Sequence, residues 1–237
     1  LGNYSRASHY AQMASSQLNG IFSGVAFPML CSIQNDMERL ARVYRQYLRI
    51  IAFIVFPLMV GMSAVAKPLI IVMLTEKWID VVELLQIICL SMMWYPVHAI
   101  NLSLLQVKGR SDLFLRLEVI KKIIIVIVMC ITVPISIKAM VIGSLCTSLI
   151  CLFINTYYTG KLINVGYLKQ MKDLLPILLL ALFMGLCVYI ITLVVPGYLL
   201  QLIIGVISGM IIYVGIAYLF KMSELTELLT LIKLRKK

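Results

Sequence analysis

The sequence predicts an all-α integral membrane protein with about seven transmembrane helices, and three observations carry that reading. Hydrophobic residues make up 62% of the 237 residues and charged residues 13%, with a mean hydropathy of +1.02, far from the composition of water-soluble domains. Apolar runs of about 20 residues, the length that crosses a bilayer, recur along the chain. The loops between the runs alternate in charge.

The runs fall near 9–32, 48–74, 81–106, 115–135, 139–159, 174–195 and 198–220. The fourth and fifth are joined by the short turn Pro134 to Lys138, and the sixth and seventh by Pro196 and Gly197, which suits antiparallel hairpins. Basic residues cluster in alternate connections: Arg39, Arg42, Arg45 and Arg49; Lys108, Arg110, Arg116, Lys121 and Lys122; Lys161, Lys169 and Lys172; and Lys221, Lys233, Arg235, Lys236 and Lys237. These are 17 of the 21 basic residues; only Arg6, Lys67, Lys77 and Lys138 fall on the opposite side. The positive-inside rule therefore places the amino end outside and the carboxyl end in the cytoplasm. The net charge of +11 reads as topology and contact with membrane lipids. It does not read as nucleic-acid binding, because the basic residues are spread over four separate connections.

The first run is the least hydrophobic and its polar residues are ordered. Ser5, His9, Gln12, Ser16, Asn19 and Ser23 recur every three or four residues and share one helix face. Unpaired polar groups are costly in hydrocarbon, so the stripe faces a wet cavity or other helices. Before the second run, segment 35–48 has Asn35 and Glu38 at capping-box spacing and an apolar face of Met37, Leu40, Tyr44, Tyr47 and Leu48, which predicts a helix lying along the interface. The third run carries a stripe of Ser91, Trp94, His98 and Asn101 beside Pro96, with Trp94 and Tyr95 able to stack on a sugar ring. The fifth carries Ser144, Thr147, Cys151 and Asn155. Three stripes suggest a shared polar interior. Prolines 28, 57, 96 and 176 permit bends, and Gly205 and Gly209 form a GxxxG pattern for close helix contact. The tail after Met222 repeats the amphipathic device, with Leu225, Leu228, Leu229 and Ile232 on one face.

Absences narrow the chemistry. No carboxylate lies at the middle of a run; Glu83 and Glu118 are near the ends. The six cysteines are scattered singly through apolar segments, with no CxxC and no histidine at ligand spacing, so they read as small apolar residues. No nucleophile elbow, phosphate loop or HExxH pair is present. No metal, cofactor or enzymatic activity is expected.

These motifs give the chain a family likeness. LGNYSRA (Leu1, Gly2, Tyr4, Ser5, Ala7), Pro28 and Ser32 followed by Asp36, Glu38, Arg39 and Leu40, and Pro57, Gly61 and Pro68 leading to Glu76, Lys77 and Trp78 carry it. Leu84, Leu85 and Gln86, then Gly109, Arg110 and Asp112, extend it to about residue 112. The chain resembles the carboxyl-terminal portion of bacterial polysaccharide flippases, the lipid-linked oligosaccharide branch of the superfamily that also holds multidrug antiporters. It departs at Thr75, where the family commonly has glycine.

The resemblance implies most of the second lobe of a two-lobed transporter in residues 1–160, a trailing transmembrane hairpin in 161–221 and a basic cytoplasmic tail in 222–237. The first lobe, and the opening span of the second, would be missing, and Leu1 in place of a methionine fits a fragment. The implied function is translocation of an undecaprenyl-diphosphate-linked oligosaccharide across the bacterial inner membrane for capsule, O-antigen or exopolysaccharide synthesis. Arg6, Gln12, Ser16, Asn19, Arg49, His98 and Asn101 are the candidate pathway residues. The alternatives are a cation-coupled multidrug antiporter of the same superfamily and a membrane-embedded polysaccharide polymerase or acyltransferase.

Overall fold

The computed structural model describes residues 2–228, with the side chains of residues 13–26 outside the description. The described chain folds into helices α1 (Gly2–Ser32), α2 (Met37–Ala64), α3 (Ala66–Leu74), α4 (Asp80–Met92), α5 (Tyr95–Val107), α6 (Ser111–Thr132), α7 (Ile137–Ile163), α8 (Tyr167–Val194) and α9 (Tyr198–Leu219), with a 3₁₀ turn at Glu76–Trp78. Five stretches are long and apolar enough to cross a membrane: α2, the α4–α5 pair, α7, α8 and α9. α1 and α6 are also long enough, but polar residues in α1 and the charges Arg116, Glu118, Lys121 and Lys122 in α6 set them apart.

α2 is the hub. Its start is fixed by the Asp36 carboxylate, which accepts the Arg39 backbone N–H at 3.0 Å. Asn35 is therefore not the cap that the spacing suggested. Leu40, Tyr44, Leu48, Ile51, Val55 and Met59 recur every three or four residues and are buried among α1, α4, α5 and α8. The expected interfacial helix over 35–48 is thus the first part of α2 itself. No turn separates it from the span, because its apolar face meets protein and has no need to lie on lipid.

The apolar run 48–74 is instead broken at Val65, whose N–H returns to the Gly61 carbonyl at 3.0 Å. The run 81–106 breaks at Met93–Trp94, where Pro96 in the first turn of α5 brings no backbone N–H. α8 begins at Tyr167, well before the expected 174, so Lys169 and Lys172 ride on its first turns.

α8 packs along α2, and α9 packs on α8 and α3. The close approach needs glycine: a Cβ on Gly185 would lie 2.4 Å from Val60 Cγ1, and one on Gly205 2.9 Å from Val65 Cγ1. The GxxxG pattern of α9 is therefore a true helix contact. The Tyr213 hydroxyl then donates to the Phe53 carbonyl at 2.8 Å, fixing α9 to α2.

Long-range polar contacts sort the connections into two ends. At one end Lys108 Nζ donates to the Gln34 carbonyl (2.8 Å), Arg45 pairs with Asp173, and Arg49 lies 3.5 Å from Glu224. At the other, Lys138 pairs with Glu83 and the Arg6 guanidinium lies over the Trp78 ring. The basic connections thus share one end, as the alternating charges required. Helical backbone resumes at residues 223–228; Leu229, Ile232 and the terminal basic cluster lie outside the described residues.

Candidate functional site

A cavity of about 590 Å³ opens between α1, α4, α5, α6 and α7. Its walls combine apolar groups with Ser91, His98, Glu118, Lys121, Ser144 and Ser148. The charged pair comes from α6, where Glu118 and Lys121 stand three residues apart, on adjacent turns of one face, and form an ion pair. Lys121 is 9% exposed and one of only two residues that α6 buries, with Leu117 beside it. Taking an ammonium out of water costs several kcal/mol unless a partner compensates, and Glu118 is that partner. Leu115, Val119, Ile123 and Val126 are exposed on other faces of α6, as are Arg116 and Lys122, so the inward face carries the Glu118–Lys121 pair with Leu117.

His98 joins the cavity to a buried polar network. Its Nε2 is 3.2 Å from the Ser148 hydroxyl and its Nδ1 is 3.1 Å from the Asn155 amide nitrogen. Deeper in, Asn101 and Gln170 exchange two hydrogen bonds of 3.1 Å between their amides. Thr159 donates to Asn101 Oδ1 at 2.7 Å, and Gln170 also donates to the Val165 carbonyl at 3.0 Å. The Tyr44 hydroxyl is fully buried beside Thr159 and Gln170 but has a well-formed hydrogen bond with neither. The network ties α5, α7 and α8 together.

The residues expected to line a pathway are dispersed. His98 lines the cavity. Asn101 is 1% exposed and committed to the network. Arg49 faces Glu224 in the carboxyl-terminal segment. Arg6 lies over Trp78, 5.7 Å from the ring centroid. Gln12 is exposed on α1, and the side chains of Ser16 and Asn19 lie outside the described residues. Trp94, expected as a possible sugar platform, is 6% exposed and packs edge-on against Phe56 at 5.3 Å; Tyr95 keeps its place on the cavity wall. Of the cysteines, Cys89 and Cys151 are buried, whereas Cys130 and Cys146 face outward. Among the described residues no three His, Cys, Asp or Glu side chains converge on a point that could hold a metal ion.

The sequence alone does not mark the Glu118–Lys121 pair as a site, because Glu118 lies near the end of a run and Lys121 counts toward a basic connection. The signal was nonetheless present: a carboxylate and an amine three residues apart inside LRLEVIKKIIIVIV.

Comparison with known proteins fits this architecture. Residues 1–83 match a family described as polysaccharide biosynthesis protein. Its amino-terminal half is thus similar to proteins of polysaccharide biosynthesis. The chain is 32% identical over 126 residues to an uncharacterized membrane protein in the cps region of Klebsiella pneumoniae, covering 53% of this chain and 26% of that one. It is 30% identical over 120 residues to the lipopolysaccharide biosynthesis protein WzxC of Escherichia coli K12, covering 51% and 24%. The chain therefore matches about a quarter of the length of each of these relatives. Its fold is like that of the lipid II flippase MurJ in an inward closed conformation, with a TM-score of 0.71 and 18% identity over 90% of this chain and 46% of that one. It is thus a multi-pass membrane protein with a flippase-like helical fold. Two of the motifs that carry the family likeness meet in space, since Arg6 of LGNYSRA covers Trp78 of the EKW turn. The α6 and α7 walls of the cavity lie beyond the family match.

Proposed function

We propose that this chain is part of an inner-membrane flippase that moves a lipid-linked oligosaccharide from the cytoplasmic to the outer leaflet for surface polysaccharide synthesis. The observation that carries the reading is the Lys121–Glu118 ion pair of α6 facing a cavity of mixed apolar and polar lining. A membrane protein that only packs its helices gains nothing from a buried charge pair, since apolar residues of similar volume would serve as well or better. A glycan carried through the bilayer needs hydroxyl and ionic partners, which Ser91, Ser144, Ser148 and the pair supply.

On this reading the described helices form much of one lobe, the cavity is a share of the glycan path, and the basic ends of α2, α6 and α8 face the cytoplasm. Export is transport, with no covalent step. Glu118 is already neutralised by Lys121, which disfavours the cation-coupled antiporter, where a carboxylate must be free to take up the ion. Deletion of the gene in its source cell tests the proposal. The expected result is loss of one surface polysaccharide, with its lipid-linked oligosaccharide accumulating on the cytoplasmic leaflet. Unchanged polysaccharide and no accumulation would refute it.

A further inference from the structure

A second polar recess, of about 550 Å³, lies where the start of α2 meets the α7–α8 junction. We propose that it binds the phosphate headgroup of an anionic phospholipid. Arg42, Lys161 and Lys169 line it, and Glu38 is the carboxylate on its wall. A fourth cation, Arg45, also reaches it but is neutralised by Asp173. With Glu38 counted against Arg42, Lys161 and Lys169, the lining still carries a net positive charge. Its two lysines are held in place: Lys169 Nζ donates to the Asn164 carbonyl at 2.8 Å, and Lys161 Nζ sits 4.7 Å from the Tyr157 ring centroid.

The flanks favour a lipid over a free anion. Phe153, Tyr157 and Lys161 are spaced by four residues and form one stripe of α7 leading into the recess. Phe153 and Tyr157 are 58% and 52% exposed, so an acyl chain can lie along them while its phosphate meets Lys161. A soluble phosphate would leave that apolar stripe unused. The site is separate from the α4–α7 cavity and does not depend on the flippase reading.

The test is photolabelling of the 237-residue chain in phosphatidylcholine nanodiscs doped with phosphatidylglycerol carrying a photoreactive acyl chain, with labelled residues mapped by mass spectrometry. Labels should concentrate on the 153–169 stretch. R42Q/K161Q/K169Q should lower them more than tenfold, while the charge-matched R39Q/R110Q/R116Q should leave them unchanged. Should the first triple variant fail to reconstitute as a helical protein, K161Q alone should lower labelling about fivefold. Three results would overturn the proposal: equal labelling by photoreactive phosphatidylcholine, equal loss in the two triple variants, or unchanged labelling in K161Q. Displacement of the label by millimolar inorganic phosphate would identify a free anion as the occupant and also overturn it.

Discussion

Arg45 and Asp173, 128 residues apart in sequence, meet in a two-pronged ion pair: Nε donates to Oδ2 and Nη2 to Oδ1, each at 2.7 Å. The pair clamps the first turns of α2 and α8, and its halves differ in exposure, with Arg45 at 46% and Asp173 at 8% on their side chains. Removing the arginine leaves a nearly buried carboxylate unpaired, whereas removing both charges does not. R45Q should therefore destabilise by about 1–2 kcal/mol, discounted for the exposed guanidinium, and R45Q/D173N should recover part of that loss. Denaturant unfolding in mixed micelles of the two single variants and the double variant measures the coupling.

Thr75 has φ 81° and ψ 168°, a region populated almost only by glycine. It ends α3 and starts the 3₁₀ turn that carries Trp78 to Arg6. Here the family's usual glycine and the observed backbone agree, and the threonine is the strained exception. T75G should stabilise the protein by about 1 kcal/mol, toward the low end of the cost of such a conformation because glycine also loosens the unfolded chain. A rise in thermal midpoint checks it; a fall would show that the Thr75 side chain contributes more than its backbone costs.

The buried network separates committed from uncommitted polar groups. N101A leaves Gln170 and Thr159 without their shared acceptor and should cost about 1–3 kcal/mol. Y44F removes a hydroxyl with no well-formed partner and should change stability by less than about 0.5 kcal/mol. Both are read by unfolding in micelles, and a larger loss in Y44F than in N101A would contradict this assignment of the network.

At the loop before the charged part of α6, the Arg110 guanidinium holds the Asp112 carboxyl down at about 2, chiefly through their hydrogen bonds. The depressed value means that the favourable contact is complete above the ordinary Asp range of about 3.9 and is lost as pH falls toward 2. Both groups are solvent-exposed, so the effect is local and stability barely changes. A carboxyl titration by NMR should give a midpoint near 2 that rises toward the ordinary range in R110Q; an unchanged midpoint would discount the pair.

The sequence was most legible where a single physical rule governs. Pro196 and Gly197 mark the α8–α9 hairpin, Gly205 and Gly209 mark its close contact, and alternating loop charge sorts the connections into two ends. It was least legible where rotation about a helix axis decides. The apolar face of Leu40, Tyr44 and Leu48 looks the same whether it meets lipid or α8, so an interfacial helix was expected where α2 runs on without a break. Lys121 counts equally toward a basic loop wherever it points, and only the fold turns it into the cavity beside Glu118. Trp94 and Asn101 share a polar stripe with His98, yet the break before α5 turns Trp94 into the core.

Whether the α4–α7 cavity carries cargo through its charged pair is decided by K121Q in the source cell, with membrane levels of the protein matched by immunoblot. Quantified surface polysaccharide should fall at least tenfold, with lipid-linked oligosaccharide accumulating on the cytoplasmic leaflet. Polysaccharide at the wild-type level in K121Q cells would contradict this cargo role and reduce the pair to a packing feature of α6.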